Sequence, residues 1–158
     1  MKAGRARDLL GRPVRDLADR AVSVDELPGL DIGRLADDPV GALTAALAGR
    51  TVDDELVGVA ATLLADTNVV GTARRLHVSE RRLRTLFAEG VGLSPKHFAR
   101  IGRVRAVLAA EPHLAWADVA AAAGYYDQSH MTAEFRHVMG VPPAAYRAGR
   151  RPVPQSCG

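Results

Sequence analysis

A repeated spacing constrains this chain more than any other feature. Ser79, Leu83 and Phe87 stand four residues apart, and Asp127, Met131 and Phe135 repeat them 48 positions later. The match continues past each phenylalanine: Gly92, Pro95 and Phe98 are answered by Gly140, Pro143 and Tyr146. Apolar residues four apart share one face of a helix. A serine or aspartate ahead of such a run is a helix N-cap, and a glycine after it is a stop. The repeat therefore predicts two small helical units of one design. Two copies are too few for a solenoid, which needs at least three.

In the first unit a short helix carries Val69, Val70, Ala73 and Leu76, and a tight turn follows at His77 and Val78. Ser79 caps the next helix, with Glu80 in its first turn to suit the dipole. Leu83, Leu86 and Phe87 are expected to point inward, and Arg81, Arg84, Thr85 and Ala88 to share the outward face. In the second unit the short helix is placed at 117–123, with Val119 its bulkiest apolar member. Gly124 ends it, Tyr125 and Tyr126 form the turn, and Asp127 caps the helix beyond. Met131, Phe135 and Val138 face inward, against Gln128, Ser129, Thr132, Ala133 and Arg136 outside.

A short helix, a tight turn and a capped longer helix with a polar outer face make a helix-turn-helix. The second helix of such a pair enters the DNA major groove, and its N-terminal residues meet base edges. Arginine suits guanine, glutamine suits adenine, and serine or threonine suits either. The predicted base-reading residues are Arg81, Arg84 and Thr85 in the first head, and Gln128, Ser129 and Thr132 in the second. Arg82, Lys96, Arg100, His130 and Arg136 are candidates for phosphate contacts, which position a protein without specifying sequence.

Charge agrees with double-stranded DNA as partner. Residues 67–158 hold 13 basic and 6 acidic side chains, net +7, whereas residues 1–52 hold 8 of each. All seven aromatic residues lie after position 86, so the real core belongs to the second part of the chain. Residues 1–36 read as short helices between glycine and proline breakers, and Asp38-Pro39 starts a further helix. Another begins near Asp53-Asp54-Glu55, with Leu56, Val59, Ala60, Leu63 and Leu64 as its apolar face. The expected organisation is an N-terminal extension over 1–52, a two-headed DNA-binding domain over 53–150 and a flexible tail over 151–158. The expected fold is all-α: two homeodomain-like helix-turn-helix subdomains joined by a linker helix from Pro95 to about residue 110, preceded by the short helical extension.

That linker presents Phe98, Ile101, Val104, Val107 and Leu108 as apolar residues. Its 16 residues span roughly 24 Å, less than the ~34 Å between successive major-groove faces. Either the duplex bends or one head inserts incompletely, so part of the specificity is expected as indirect readout. Trp116 is expected as a core or cap residue of the second head.

Other classes find little support. The single cysteine, Cys157, excludes a disulfide framework or a multi-cysteine zinc site. The five histidines lack metal-ligand spacing, so no metal and no cofactor is expected. No nucleophile with a base and an orienting partner, and no glycine-rich phosphate loop, suggests an enzyme. No apolar run approaches the ~20 residues of a membrane span, and the expected location is the cytoplasm.

These residues resemble the DNA-binding domain of the AraC/XylS family of bacterial transcription regulators. The family pattern, Gly-Phe-x-Asp-x-Ser-x-Phe-x-x-x-Phe followed by Gly-x-x-Pro-x-x-Tyr-Arg, is met from Gly124 through Asp127, Ser129 and Phe135 to Gly140, Pro143, Tyr146 and Arg147. The first half fits through Leu76, Ser79, Leu83, Phe87, Gly92 and Pro95, so the match covers about residues 53–150. The resemblance implies a seven-helix, two-subdomain fold contacting adjacent turns of DNA. It also implies promoter binding, with activation through contact with RNA polymerase. Tyr125 and Met131 replace phenylalanines, and Ala133 stands where arginine is common, so the second head is expected to read fewer bases. Only about 50 residues precede the match, resembling the tail of a sensing or dimerising domain. An alternative reading is a truncated relative that modulates a full-length regulator by protein contact. Two heads in one chain make a monomer sufficient for an asymmetric site, and the oligomeric state stays open.

Overall fold

The computed structural model describes residues 5–26, 28–48 and 55–152. Every regular element among them is helical: α1 (Arg5–Leu10), α2 (Ile32–Asp37), α3 (Pro39–Leu47), α4 (Glu55–Asp66), α5 (Val69–Arg75), α6 (Glu80–Gly90), α7 (Pro95–Ala109), α8 (Trp116–Ala122), α9 (Gln128–Met139) and α10 (Pro143–Arg147), with short 3-10 turns at Val14–Asp16 and Val24–Glu26. Asp53, Asp54, Cys157 and most of the expected tail lie outside the described residues. Two compact units divide between Lys96 and His97.

In the first unit α4, α5 and α6 contact one another. Val57, Ala60, Leu64, Ala73, Leu83, Leu86 and Phe87 are buried there. The face of α4 is turned from the one expected: Val57 is fully buried and Val59 is 45% exposed. Val57, Ala60 and Leu64 stand at i, i+3 and i+7, so the stripe facing α5 and α6 centres on them and leaves Val59 outside. The same unit includes the N-terminal elements. Both α1 and the turn at Val14–Asp16 pack on α6, while α2 and α3 pair with each other. Arg7 and Arg15 each reach Glu89 at 3.4 Å. A Cβ at Gly92 would lie 2.8 Å from Val14 Cγ1, and φ there is +78°, so only glycine fits the junction.

In the second unit Val104, Val107, Val119, Ala120, Ala123, Tyr125, Met131 and Phe135 form one core cluster, with Trp116 and Tyr146 packed against it. Leu108, expected on the apolar face of α7, is exposed; the buried stripe is carried by Val104 and Val107. Trp116 opens α8 one residue before the expected start. Its ring lies under the Arg147 guanidinium, 3.7 Å from the ring centroid. Arg151 stacks in the same way on Tyr146 at 4.3 Å.

The two units place alike pairs of residues in their cores. Thr72 and Val119 are equivalent, as are Ala73 and Ala120, and all four are buried. Among the described residues the enclosed Thr72 hydroxyl has no hydrogen-bond partner. A buried unpaired hydroxyl costs about 1–3 kcal/mol. Thr72→Val, which installs the side chain the second unit already uses, is expected to raise stability by about 1 kcal/mol, read as a higher urea midpoint at unchanged slope.

Candidate nucleic-acid interface

Both turns rest on one hydrogen-bond pattern. After α5, the Val78 N–H donates to Ala73 O and the His77 N–H to Arg74 O, at 3.0 and 3.1 Å. After α8, the Tyr125 N–H donates to Ala120 O and the Gly124 N–H to Ala121 O, at 2.9 and 3.1 Å. These paired bonds are the Schellman closure of a helix end. The left-handed position is His77 in the first turn, at φ +54°, and Gly124 in the second, at φ +77°. The second turn is one residue longer before its N-cap. The extra residue is Tyr126, whose side chain is 94% exposed, while Tyr125 turns into the core.

The caps then launch the two long helices. The Ser79 hydroxyl accepts from the Arg82 N–H at 3.1 Å, and the Asp127 carboxylate accepts from the His130 N–H at 2.7 Å. Gly140, at φ +73°, closes α9 through its N–H to Arg136 O at 2.8 Å.

On α6 the inward side chains Leu83, Leu86 and Phe87 are buried, and Arg81, Arg82 and Arg84 are exposed with Thr85 half-buried. Arg84 Nη2 donates to Glu80 Oε2 at 2.8 Å. An exposed pair of this i, i+4 kind is worth about 0.3–0.5 kcal/mol, so exchange for a base acceptor costs little. The Thr85 hydroxyl donates to Arg81 O at 3.2 Å, leaving its lone pairs to accept. On α9, Gln128, Ser129, His130 and Arg136 are exposed and Thr132 is half-buried. Ser129, Thr132, Ala133 and Arg136 line one open hollow. The His130 ring meets Tyr125 edge-on, with centroids 5.4 Å apart. Lys96 is exposed in the first turn of α7.

Arg100 belongs to a cluster that the sequence reading did not single out. Glu134, on α9, is bound by Arg103 of α7, with Nε 3.0 Å and Nη2 2.7 Å from Oε1, and Nη2 2.9 Å from Oε2. Arg100 Nε completes the cage at 3.3 Å from Oε2. The Glu134 side chain is only 10% exposed. The Arg103 guanidinium also lies 5.3 Å from the Tyr125 ring centroid. Burial alone would raise the Glu134 carboxyl, but the hydrogen bonds and charge of Arg103, helped by Tyr125 and Arg100, hold it below the ordinary glutamate value. Burial, and then the neighbouring Glu134 charge, push the Tyr125 phenol up to about 12.

The lowered Glu134 value stabilises the fold fully above its unfolded value, and this contribution is lost as pH falls through the folded one. Glu134→Gln is therefore expected to flatten the decline in stability as pH falls below the ordinary glutamate value. Urea midpoints across that range test it; an unchanged acid limb would contradict the cage.

A turn that sets a capped, polar-faced helix beside a shorter one, made twice in one chain, defines a pair of helix-turn-helix units, an architecture of DNA-binding domains in transcriptional regulators. A family model described as a helix-turn-helix domain matches residues 72–149, and those residues form a helix-turn-helix domain of the AraC/XylS type. Among the solved structures that share the fold are two of transcription factors. One is the DNA-binding domain of AdpA, described as a global transcriptional factor, crystallised with a target DNA: TM-score 0.50, 24% identity, 57% of this chain and 83% of that one. The other is the xylose-binding transcription activator XylR: TM-score 0.53, 17% identity, 68% of this chain and 30% of that one. The chain thus spans less than a third of XylR. No curated protein matches the chain. Among the described residues no helix is long and apolar enough to cross a membrane.

Proposed function

We propose that the chain regulates transcription by inserting α6 and α9 into adjacent major grooves of one duplex. The observation that carries this reading is the pair of equivalent outward stripes. Arg81, Arg84, Thr85 and Ala88 on α6 correspond, 48 positions on, to Ser129, Thr132, Ala133 and Arg136 on α9. Arg81, Arg84 and Thr85 read bases in one half-site, and Gln128, Ser129 and Thr132 in the other. Because the stripes differ, the two half-sites differ in sequence, and one chain covers an asymmetric site without a second copy.

Arg82, Lys96, His130 and Arg136 hold phosphates on either side. Arg100 gives its Nε to Glu134, and its terminal nitrogens carry its phosphate contact. The 15 residues of α7 span about 22 Å, and either the duplex bends or one head inserts incompletely. Bound to a promoter, the chain activates transcription by touching RNA polymerase.

Hydroxyl-radical footprinting tests the reading. Two protected stretches about one helical turn apart are expected. No protection on any duplex, with retained binding to a full-length regulator of this type, would replace this reading with that of a protein-interaction modulator. Lys96→Ala is expected to weaken all duplexes about equally and to lower the salt slope by about 1, measured by anisotropy titrations at several salt concentrations.

A further inference from the structure

We infer that the second head selects a thymine through its methyl group, using Thr132 and Ala133. This rests on the DNA-reading function proposed above and assigns a base to it. The two outward stripes have the same geometry and opposite chemistry at their centres. Where α6 carries Arg84 and Thr85, α9 carries Thr132 and Ala133. The α9 stripe of Ser129, Thr132, Ala133 and Arg136 lines an open hollow of about 650 Å³, which His137, Gly140 and Pro142 also line. Ala133 is exposed and Thr132 half-buried. Along this stripe Thr132 and Ala133, each carrying a methyl group, stand between Ser129 and Arg136.

In the major groove, each base edge meets such a surface differently. Guanine presents two acceptors, which find no donor at Ala133. Cytosine presents an N–H donor, which finds no acceptor there. Adenine presents one of each. Thymine alone presents a methyl group, and alanine and the threonine methyl are natural apolar contacts for it. Thymine presents one acceptor beside its methyl group, so it leaves no more polar groups unpaired than cytosine and alone removes a methyl group from water.

The test uses the full chain. Sites are selected from a random duplex library by the native protein and, in parallel, by Ala133→Arg. Arginine binds guanine in bidentate fashion, so one position of the selected site is expected to change from thymine to guanine. That position marks the base facing Ala133. Deoxyuridine is then placed there in the site of the native protein, a change made in the DNA that leaves the fold untouched. Loss of one buried methyl group is expected to weaken binding about fourfold. Thr132→Ser, which removes the second methyl group, is expected to shrink that difference. A site with a base other than thymine at that position, or equal binding of the thymine and deoxyuridine duplexes, overturns the inference and leaves the two-headed function standing. Enrichment of no sequence at all by the native chain overturns both.

Discussion

Phe135→Ala is expected to cost about 3–5 kcal/mol and to dissolve the second head. Phe135 is 1% exposed at the centre of the only core cluster that α8 and α9 share among the described residues. Its ring meets Tyr146 at 6.0 Å and 72°, the edge-to-face geometry that adds to burial. A domain is stable by only about 5–15 kcal/mol in all, and a unit this small sits low in that range. Amide exchange over 97–152 is expected to accelerate, and the half-site read by α9 to vanish from the footprint. A loss below about 1 kcal/mol would mean that the ring is not enclosed as described.

Among the base-reading residues, Arg84→Ala is expected to have the largest effect on recognition. Arg84 is exposed on the outward stripe of α6 and pairs with Glu80 of its own helix. The substitution is expected to cost roughly 1–3 kcal/mol of affinity for the specific site and to relax base preference at one position. It removes one charge as well, so random DNA is weakened too, but by less. Titrations of the specific and a scrambled duplex at one salt concentration separate the two terms. Equal losses on both would reduce Arg84 to a phosphate contact and move base reading elsewhere on α6.

Local chemistry made much of this legible before any coordinates. Short-range rules place Ser79 and Asp127 at N-caps, Gly124 at a left-handed position, and Leu83, Phe87, Met131 and Phe135 inside, because each depends on neighbours within one or two turns. The same rules misplaced the face of α4. A run containing Leu56, Val57, Val59, Ala60, Leu63 and Leu64 is apolar nearly all round, and only contact with α5 and α6 selects Val57 over Val59. They also missed the longer second turn, since a register counted from the caps hides the added Tyr126.

Glu134 escaped for a different reason. Its partners Arg100 and Arg103 lie 34 and 31 residues away, and pairing over that distance leaves no periodic trace. The available signal was an acid beside the buried Phe135 together with two arginines at i and i+3 on the preceding helix. Docking of the extension on α6, through Arg7, Arg15 and Val14, was equally a matter of tertiary contact.

The most direct test of the account is selection from a random duplex library, followed by titration of the winning and scrambled duplexes over a range of salt. A bipartite motif is expected, its unlike halves about one helical turn apart, bound about 10³-fold or more tightly than the scrambled duplex at physiological salt. Weak binding that is equal on both duplexes and falls steeply with salt would contradict it, because only the electrostatic attraction of a basic surface would then remain.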